Sequence, residues 1–405
     1  MNSNYPPVIM IGLNSCSLSL IRSLGRRGIK IIGLYDDIYE QYFLKSTYCS
    51  VKVKISSVHN ESLIDFLIND LASTLKEPAV LFCASDMTVL TVSKHEDQLK
   101  PLFNFVLPSY KITNNLISKR GLHDFAVKND FLVPNTFFTE SNQEIEKIAD
   151  KVSYPCIIKP EFRDRNWNDN VPEKVLYAES KNHLFGLINQ YRIQERALII
   201  QEWIDGDDTD VYFCLAYISR NQRPLALCVG KKLRQHPHLT GSTSIAETVW
   251  LPEIADESLR MLRTAGIIGL CSVEFKKSRK DGRYFLTEPT IGRPDTQEGI
   301  CLSAGIDIPY IAYLDAICEK VDGLGKYEIG IKWINEPLAF YSLQELIRKG
   351  RNLKEIRNLY KGRCSYSLWR YDDPNPAITF YKEILGKGFS KLLKRISRKT
   401  KFRLV

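Results

Sequence analysis

Two glutamates, Glu274 and Glu288, stand on either side of an Asp281-Gly282 turn. The flanking segments, Leu270 to Phe275 and Tyr284 to Thr287, have the apolar and aromatic content of strands, and Asp-Gly is a strong hairpin signal. A loop over residues 280 to 282 sets Arg279 opposite Arg283 and carries Glu274 directly across from Glu288, on one face of the sheet. Two carboxylates that close repel. A cation between them relieves the repulsion, and an all-oxygen ligand set suits Mg²⁺, which takes few protein carboxylates and leaves its other positions to phosphate and water. The competing reading is a solvated hairpin face with Lys276 as counter-ion. What lies upstream decides between the two.

A hairpin of this kind needs a scaffold, and the chain is long enough to supply one. Its 405 residues, 44% hydrophobic and 25% charged, suit a soluble globular protein of two or three domains. The longest apolar runs, such as Val8 to Leu13 and Ile29 to Leu34, are too short to cross a bilayer, and the N-terminus lacks a signal-peptide pattern, so a cytoplasmic protein is expected. Five of the ten cysteines (Cys83, Cys156, Cys214, Cys228 and Cys271) lie in apolar strand-like runs, and no pair has Cys-x-x-Cys spacing. They read as small core residues in a reducing compartment. The six histidines form no metal motif; His236 and His238 straddle Pro237 in a loop.

The opening reads strand (Val8 to Leu13), helix (Leu18 to Arg27), strand (Ile29 to Leu34), the alternation of a parallel, Rossmann-like α/β layer. Gly12-Leu-Asn-Ser-Cys16 is a polar turn after the first strand but does not match the dinucleotide glycine pattern. A helix over Ser62 to Leu75 and a strand over Ala79 to Cys83 follow, with Ser85-Asp86 at the strand's carboxyl end, where ligands tend to bind. This domain spans residues 1 to 112. A helix through Asn115 to Lys128 begins the second domain, 113 to 325, within which residues 120 to 200 form a lid. Short strands end on Lys159 and at Asp205-Gly206, and Val211 to Ile218 pairs antiparallel with Pro224 to Val229. The remainder, 326 to 405, is a C-terminal extension.

Charge is concentrated in that extension. Residues 381 to 405 hold eight of the nine net positive charges, interleaved with Leu385, Phe389, Leu392, Leu393, Ile396 and Phe402. A basic amphipathic helix with this pattern fits an anionic membrane surface, here the inner face of the membrane, or packs on the body by its apolar stripe. No aromatic platform or nucleic-acid motif accompanies the charge, so a specific nucleic-acid partner is not expected.

Lys119, Lys159, the Gln201-Glu202-Trp203-Ile204 stretch, Asp208, Lys231-Lys232, Glu274 and Glu288 occur in an order and spacing that resembles the ATP-grasp superfamily of carboxylate ligases, over residues 110 to 320. The resemblance implies a mixed α/β fold, an α+β ATP-grasp core behind the Rossmann-like domain, with ATP and Mg²⁺ as cofactors. It implies that Lys119 and Lys159 reach the phosphates, that Gln201 to Ile204 hold adenine with Glu202 on the amino side, and that Asp208 takes the ribose hydroxyls. Lys231 or Lys232 approaches the γ-phosphate, Gly241 to Ser244 form a flexible loop over an acyl phosphate, and Arg293 neutralises phosphoryl charge. Glu274, Glu288 and Thr290 are the implied metal ligands.

Two departures stand out. The loop after Lys159 lacks the family's glycines and offers Arg163 and Arg165 instead. Glu288-Pro-Thr290 replaces Glu-x-Asn, a variant that, with Gly292-Arg293 and Asp295-x-Gln297, resembles ATP-grasp proteins found with surface polysaccharide synthesis and, more distantly, D-aspartate ligases. The expected activity is ATP-driven joining of a small-molecule carboxylate to an amine through an acyl phosphate. A nucleotide-binding regulator or scaffold is the alternative, and the oligomeric state is left open.

Overall fold

The computed structural model describes residues 5–38, 40–161, 167, 170–171, 173–194, 196–350 and 353–386. Arg163, Arg165 and the basic tail from Lys387 onward lie outside the described residues. The first domain is a five-stranded parallel sheet built from β1 (Val8–Ile11), β2 (Ile31–Tyr35), β3 (Val51–Lys54), β4 (Ala79–Cys83) and β5 (Phe103–Asn104), in the order β3-β2-β1-β4-β5. Strands β1 and β4 are buried along their whole length, which requires the unbroken apolar runs Val-Ile-Met-Ile and Ala-Val-Leu-Phe-Cys. Edge strand β3 reads Val-Lys-Val-Lys and is mostly exposed, its lysines discouraging further pairing.

Two expected helices are broken. The segment from Glu61 starts as an α-helix capped by Asn60, widens into π-helical turns over Phe66–Leu71 and ends in a tight turn at Ala72–Thr74. The expected helix over 115 to 128 becomes Tyr110–Ile117 and Lys119–Lys128, because Ser118 adopts an extended backbone and its hydroxyl caps the second helix at the Gly121 amide. A side chain at Gly121 would meet the Asn115 carbonyl oxygen at 2.1 Å, so the close approach of the two helices depends on that glycine. The break starts a fresh helix at Lys119.

Most of the segment expected as a lid is built on a four-stranded antiparallel sheet in the order β6-β9-β7-β8, from β6 (Thr136–Thr139), β7 (Cys156–Pro160), β8 (Leu176–Ala178) and β9 (Leu198–Glu202). It has its own apolar core around Ile158, Trp167, Leu184 and Ile200.

Seven strands form the central sheet: β10 (Val211–Ile218), β11 (Pro224–His236), β12 (Ser242–Thr248), β13 (Gly269–Lys277), β14 (Tyr284–Ile291), β15 (Lys332–Ile334) and β16 (Cys364–Tyr366), in the order β14-β13-β10-β11-β12-β15-β16. Its alternation sorts the side chains. Cys214, Ala216, Val229, Cys271, Val273 and Phe275 face a core beneath the helix Pro252–Ala265. On the opposite face Leu215, Tyr217, Cys228 and Leu270 join the core shared with the first domain, and farther along that face Ser272, Glu274 and Lys276 line an open cleft.

The region after residue 326 is not a separate extension. Strands β15 and β16 continue the central sheet, and buried Asp373 receives Arg22, Ser46 and Thr47 of the first domain. The helical residues Ala377, Phe380 and Ile384 pack on Leu18, Tyr42, Phe43 and Leu368. Among the described residues no helix is long and apolar enough to cross a membrane. All ten cysteines are free, and eight are buried.

Candidate functional site

The site begins with the hairpin. Glu274 and Glu288 are register partners across β13 and β14, but not through the expected loop. The turn is one residue longer, with the Ser278 amide bonded to the Arg283 carbonyl, so Phe275 pairs with Leu286 and Thr287 is left unpaired as a bulge. The bulge restores the acid-to-acid pairing. It also turns the Thr287 hydroxyl onto the Glu274 carbonyl oxygen at 3.0 Å.

Lys232 is 4% exposed and its ammonium lies 2.6 Å from the Glu274 carboxylate. A lysine so enclosed needs an anion, and Glu274 supplies it. Lys231 points the other way and sits 3.7 Å from Glu247. Strand alternation therefore separates the two lysines that the sequence left equivalent, and Lys232 is the one in the cleft. Lys276, the expected counter-ion, donates to the Asp207 carbonyl at 2.6 Å instead.

Glu288 reaches into the cleft, open to solvent yet enclosed by protein on most sides. Its pKa is raised, first by burial and then by the Glu274 charge, against the pull of Lys174 and Lys232. Thr290 pairs with Ser272 and is 8% exposed beside both acids. Two opposed carboxylates with a hydroxyl neighbour, one of them held short of easy ionisation, form a donor set that fits a hard divalent cation.

Lys159, next to last in β7, donates to Gln201 Oε1 at 3.0 Å. Burial, then the neighbouring Lys119 charge, lower its pKa to about 8, with Lys174 adding to the effect and Glu288 opposing it. Lys119 donates to the carbonyls of Pro160 and Glu161 at 3.0 and 3.2 Å. Next to it Arg120 makes a two-point bond to the Glu161 carboxylate, at 3.0 and 3.2 Å. Lys119, Lys159, Lys174 and Glu288 line one continuous cavity that shares Glu288, Lys174 and Trp203 with the main cleft. Lys174 was missed by sequence reading: a lysine in a polar loop carries no periodic signal.

At the other end, Gln201 to Ile204 follow the edge of the expected lid. The Gln201 side chain donates to Thr136 at 2.8 Å, the Glu202 amide to the Asn135 carbonyl at 2.8 Å and the Trp203 amide to the Pro155 carbonyl at 2.9 Å. Glu202 accepts from the Asn135 amide at 3.2 Å. The Glu202 and Trp203 amides are thus held by neighbouring backbone, whereas among the described residues the Ile204 amide has no backbone acceptor. Trp203 and Ile204 both line the cleft.

Asp208 differs from expectation. It is 1% exposed, and its oxygens accept from the Gln235 and Leu239 amides at 3.0 and 2.8 Å, with Arg234 at 3.3 Å. So enclosed, Asp208 does not line the cleft, and it anchors the turn between β11 and β12. His238 joins the same cluster through Asp207 at 2.9 Å. The expected flexible loop at Gly241 to Ser244 is also replaced: Ser242 already begins β12, and a side chain on Gly241 would meet His236 backbone at 2.0 Å.

Arg293 lies where the domains meet. Its Nε donates to Asp86 at 2.5 Å and Nη1 to the Pro294 carbonyl at 3.2 Å. Beside it Asp295 accepts from Ser272 at 2.6 Å and Gln297 at 2.9 Å. Asp86, just after β4, thus meets the residue that precedes the Pro294 to Gln297 loop. Cys16 Sγ, from the polar turn, is 3.6 Å from Thr296 Oγ1.

No protein-family model matches the chain. Among curated proteins it is 24% identical over 184 residues to the formate-dependent phosphoribosylglycinamide formyltransferase of Bacteroides fragilis, covering 44% of this chain and 46% of that protein. It is 20% identical over 221 residues to the D-aspartate ligase of Enterococcus faecium, covering 52% of each. The chain thus spans about half the length of the curated relatives it matches. Among solved structures, N5-carboxyaminoimidazole synthetase from Staphylococcus aureus complexed with ADP superposes with a TM-score of 0.62 at 11% identity, over 80% of this chain and 81% of that one. Biotin carboxylase from Campylobacter jejuni gives 0.62 at 14% identity, over 80% and 74%.

Proposed function

Because the chain has the ATP-grasp fold, we propose that it is an ATP- and Mg²⁺-dependent ligase that joins a carboxylate to an amine through an acyl phosphate. The observation that carries this reading is the direct opposition of Glu274 and Glu288 with Lys232 against the pair. Lys232 compensates Glu274 alone, so the second acid leaves room for a cation, beside a cavity whose lysines suit an anion.

In this reading Glu274 and Glu288, with Thr290 beside them, hold Mg²⁺, which when bound neutralises charge on the transferring phosphoryl oxygens. Lys159 and Lys119 hold the polyphosphate, and Lys232 faces the γ-phosphoryl group. Trp203 and Ile204 contact the base, with the Ile204 amide free to donate to it. A carboxylate oxygen of the substrate bonds to the γ-phosphorus while the bond to the bridging oxygen breaks, and ADP leaves. The amine nitrogen then attacks the acyl carbon, phosphate departs, and the nitrogen gives its proton to solvent. Arg293, fixed by Asp86, sets a permanent positive charge against the negative charge that develops on the phosphoryl oxygens. No side chain forms a covalent intermediate; positioning and charge do the work.

The test is a panel of amino acids and sugar acids assayed for phosphate release with Mg-ATP, sugar acids being included because of the resemblance around Glu288 to Arg293. Amine-stimulated release with some pair supports the ligase. ATP binding without any stimulation supports the scaffold reading. Association of the basic tail with a membrane surface is a separate proposal, tested by binding to anionic vesicles with and without residues 387 to 405; equal partitioning removes it.

A further inference from the structure

Thr296 separates the main cleft from a second, smaller cavity lined by Ser15, Ser19, Arg22, Arg26, Trp333 and Arg370, and it lines both. Three guanidinium groups around one small cavity are costly, and the structure compensates only two of them. Arg22, 2% exposed, donates to Asp373 at 2.8 Å and to the carbonyls of Ser367 and Leu368 at 2.6 Å each. Arg26 makes a two-point pair with Asp372 at 2.6 and 2.9 Å. Arg370 has no carboxylate ion-pair partner among the described residues. Its Nη2 donates to the neutral hydroxyls of Ser303 and Ser365 at 3.3 and 2.9 Å.

Glu336 and Asp372 act on Arg370 only from farther away. Burial first, then the charges of Arg22 and Arg26, lower its pKa to about 10. An arginine kept in such a place without an acid is suited to an acid that arrives with a ligand. The position supports this, since Thr296 and its neighbour Asp295 also line the main cleft.

We propose that this cavity is an anion subsite that receives a carboxylate carried by the ligated substrate away from its reacting end, with Arg370 as the group that recognises it. The proposal deepens the ligase reading and rests on it: it names the substrate class as one with a second acidic group.

The binding arm of the test uses the full chain and two probes, succinate and inorganic phosphate, by calorimetry and thermal shift. Wild type and the surface control Arg348→Gln should bind succinate more tightly than phosphate. Arg370→Gln should weaken succinate about ten- to hundredfold, and Arg370→Lys should recover part of it. A merely structural Arg370 would lower the melting temperature when replaced and leave succinate affinity unchanged, which overturns the proposal, as does absence of succinate binding to wild type. Tighter binding of phosphate overturns the carboxylate assignment.

The turnover arm compares acidic substrates with neutral isosteres, aspartate against asparagine and glutamate against glutamine. Wild type should favour the acidic member, and Arg370→Gln should erase the preference through KM with kcat retained. Equal use of both members overturns the subsite while the ligase stands. If no panel member reacts, the ligase reading fails, and succinate binding still decides the subsite.

Discussion

In the proposed function Lys159 holds the polyphosphate, which gives a quantitative handle on nucleotide binding. Its ammonium sits near the end of β7 against Gln201, and burial together with the Lys119 charge brings its pKa from the ordinary 10.5 to about 8. At ~1.36 kcal/mol for each pH unit, carrying the charge at this position costs on the order of 3 kcal/mol. A polyphosphate restores what burial removes, so it binds the protonated form. The sign follows: affinity is intact below the free-enzyme pKa and is lost as pH rises through it. The value of kcat/KM for ATP should be level up to about pH 8 and fall about tenfold for each further pH unit. An unperturbed lysine would show no fall before about pH 10. The assay is kcat/KM for ATP between about pH 6.5 and 9.5, with Lys159→Arg as control because its charge does not titrate in that range. A level wild-type profile to the top of the range, or the same fall in Lys159→Arg, refutes the reasoning.

Lys232→Ala should lower kcat/KM about 10²- to 10³-fold by removing the cation facing the phosphoryl group, whereas Lys231→Ala, on the opposite face of the strand, should stay within about twofold; steady-state kinetics of the two variants side by side check the assignment, and equal losses contradict it. Asp373→Ala leaves Arg22 buried without its acid and frees the Ser46 and Thr47 donors, so chemical denaturation should show a loss of about 3–5 kcal/mol. A loss under about 1 kcal/mol would mean that the two regions are not tied through this residue.

Composition and alternation made the parallel first domain legible, because β1 and β4 are buried on both faces and must be written in apolar residues. Edge strand β3 escaped notice for the opposite reason, since its lysines are what an exposed edge requires. The pairing of Glu274 with Glu288 was legible, although by a wrong path: the loop is one residue longer than expected and the Thr287 bulge compensates. No local signal in the sequence marks that bulge. Lys231 and Lys232 could be separated only by knowing the strand's phase.

Asp208 shows the limit of spacing. An acidic residue after Gly206 can anchor a turn as well as hold a sugar, and only the Gln235 and Leu239 amides decide which. Strands β15 and β16 were invisible because each has three residues and gains its stability from the sheet it joins. The cavity around Arg370 assembles from distant segments, and no stretch of the sequence holds enough of it to be read.

The central claim is that Glu274 and Glu288 together bind the metal that grips the nucleotide. It is tested most directly by titrating ADP into the wild type and the Glu274→Gln and Glu288→Gln variants, with Mg²⁺ and with a chelator. The account predicts that Mg²⁺ strengthens wild-type binding, that either substitution reduces this gain at least about tenfold, and that affinity in chelator is unchanged or higher because a negative charge is gone. Variants that keep the full Mg²⁺ gain of the wild type would contradict it.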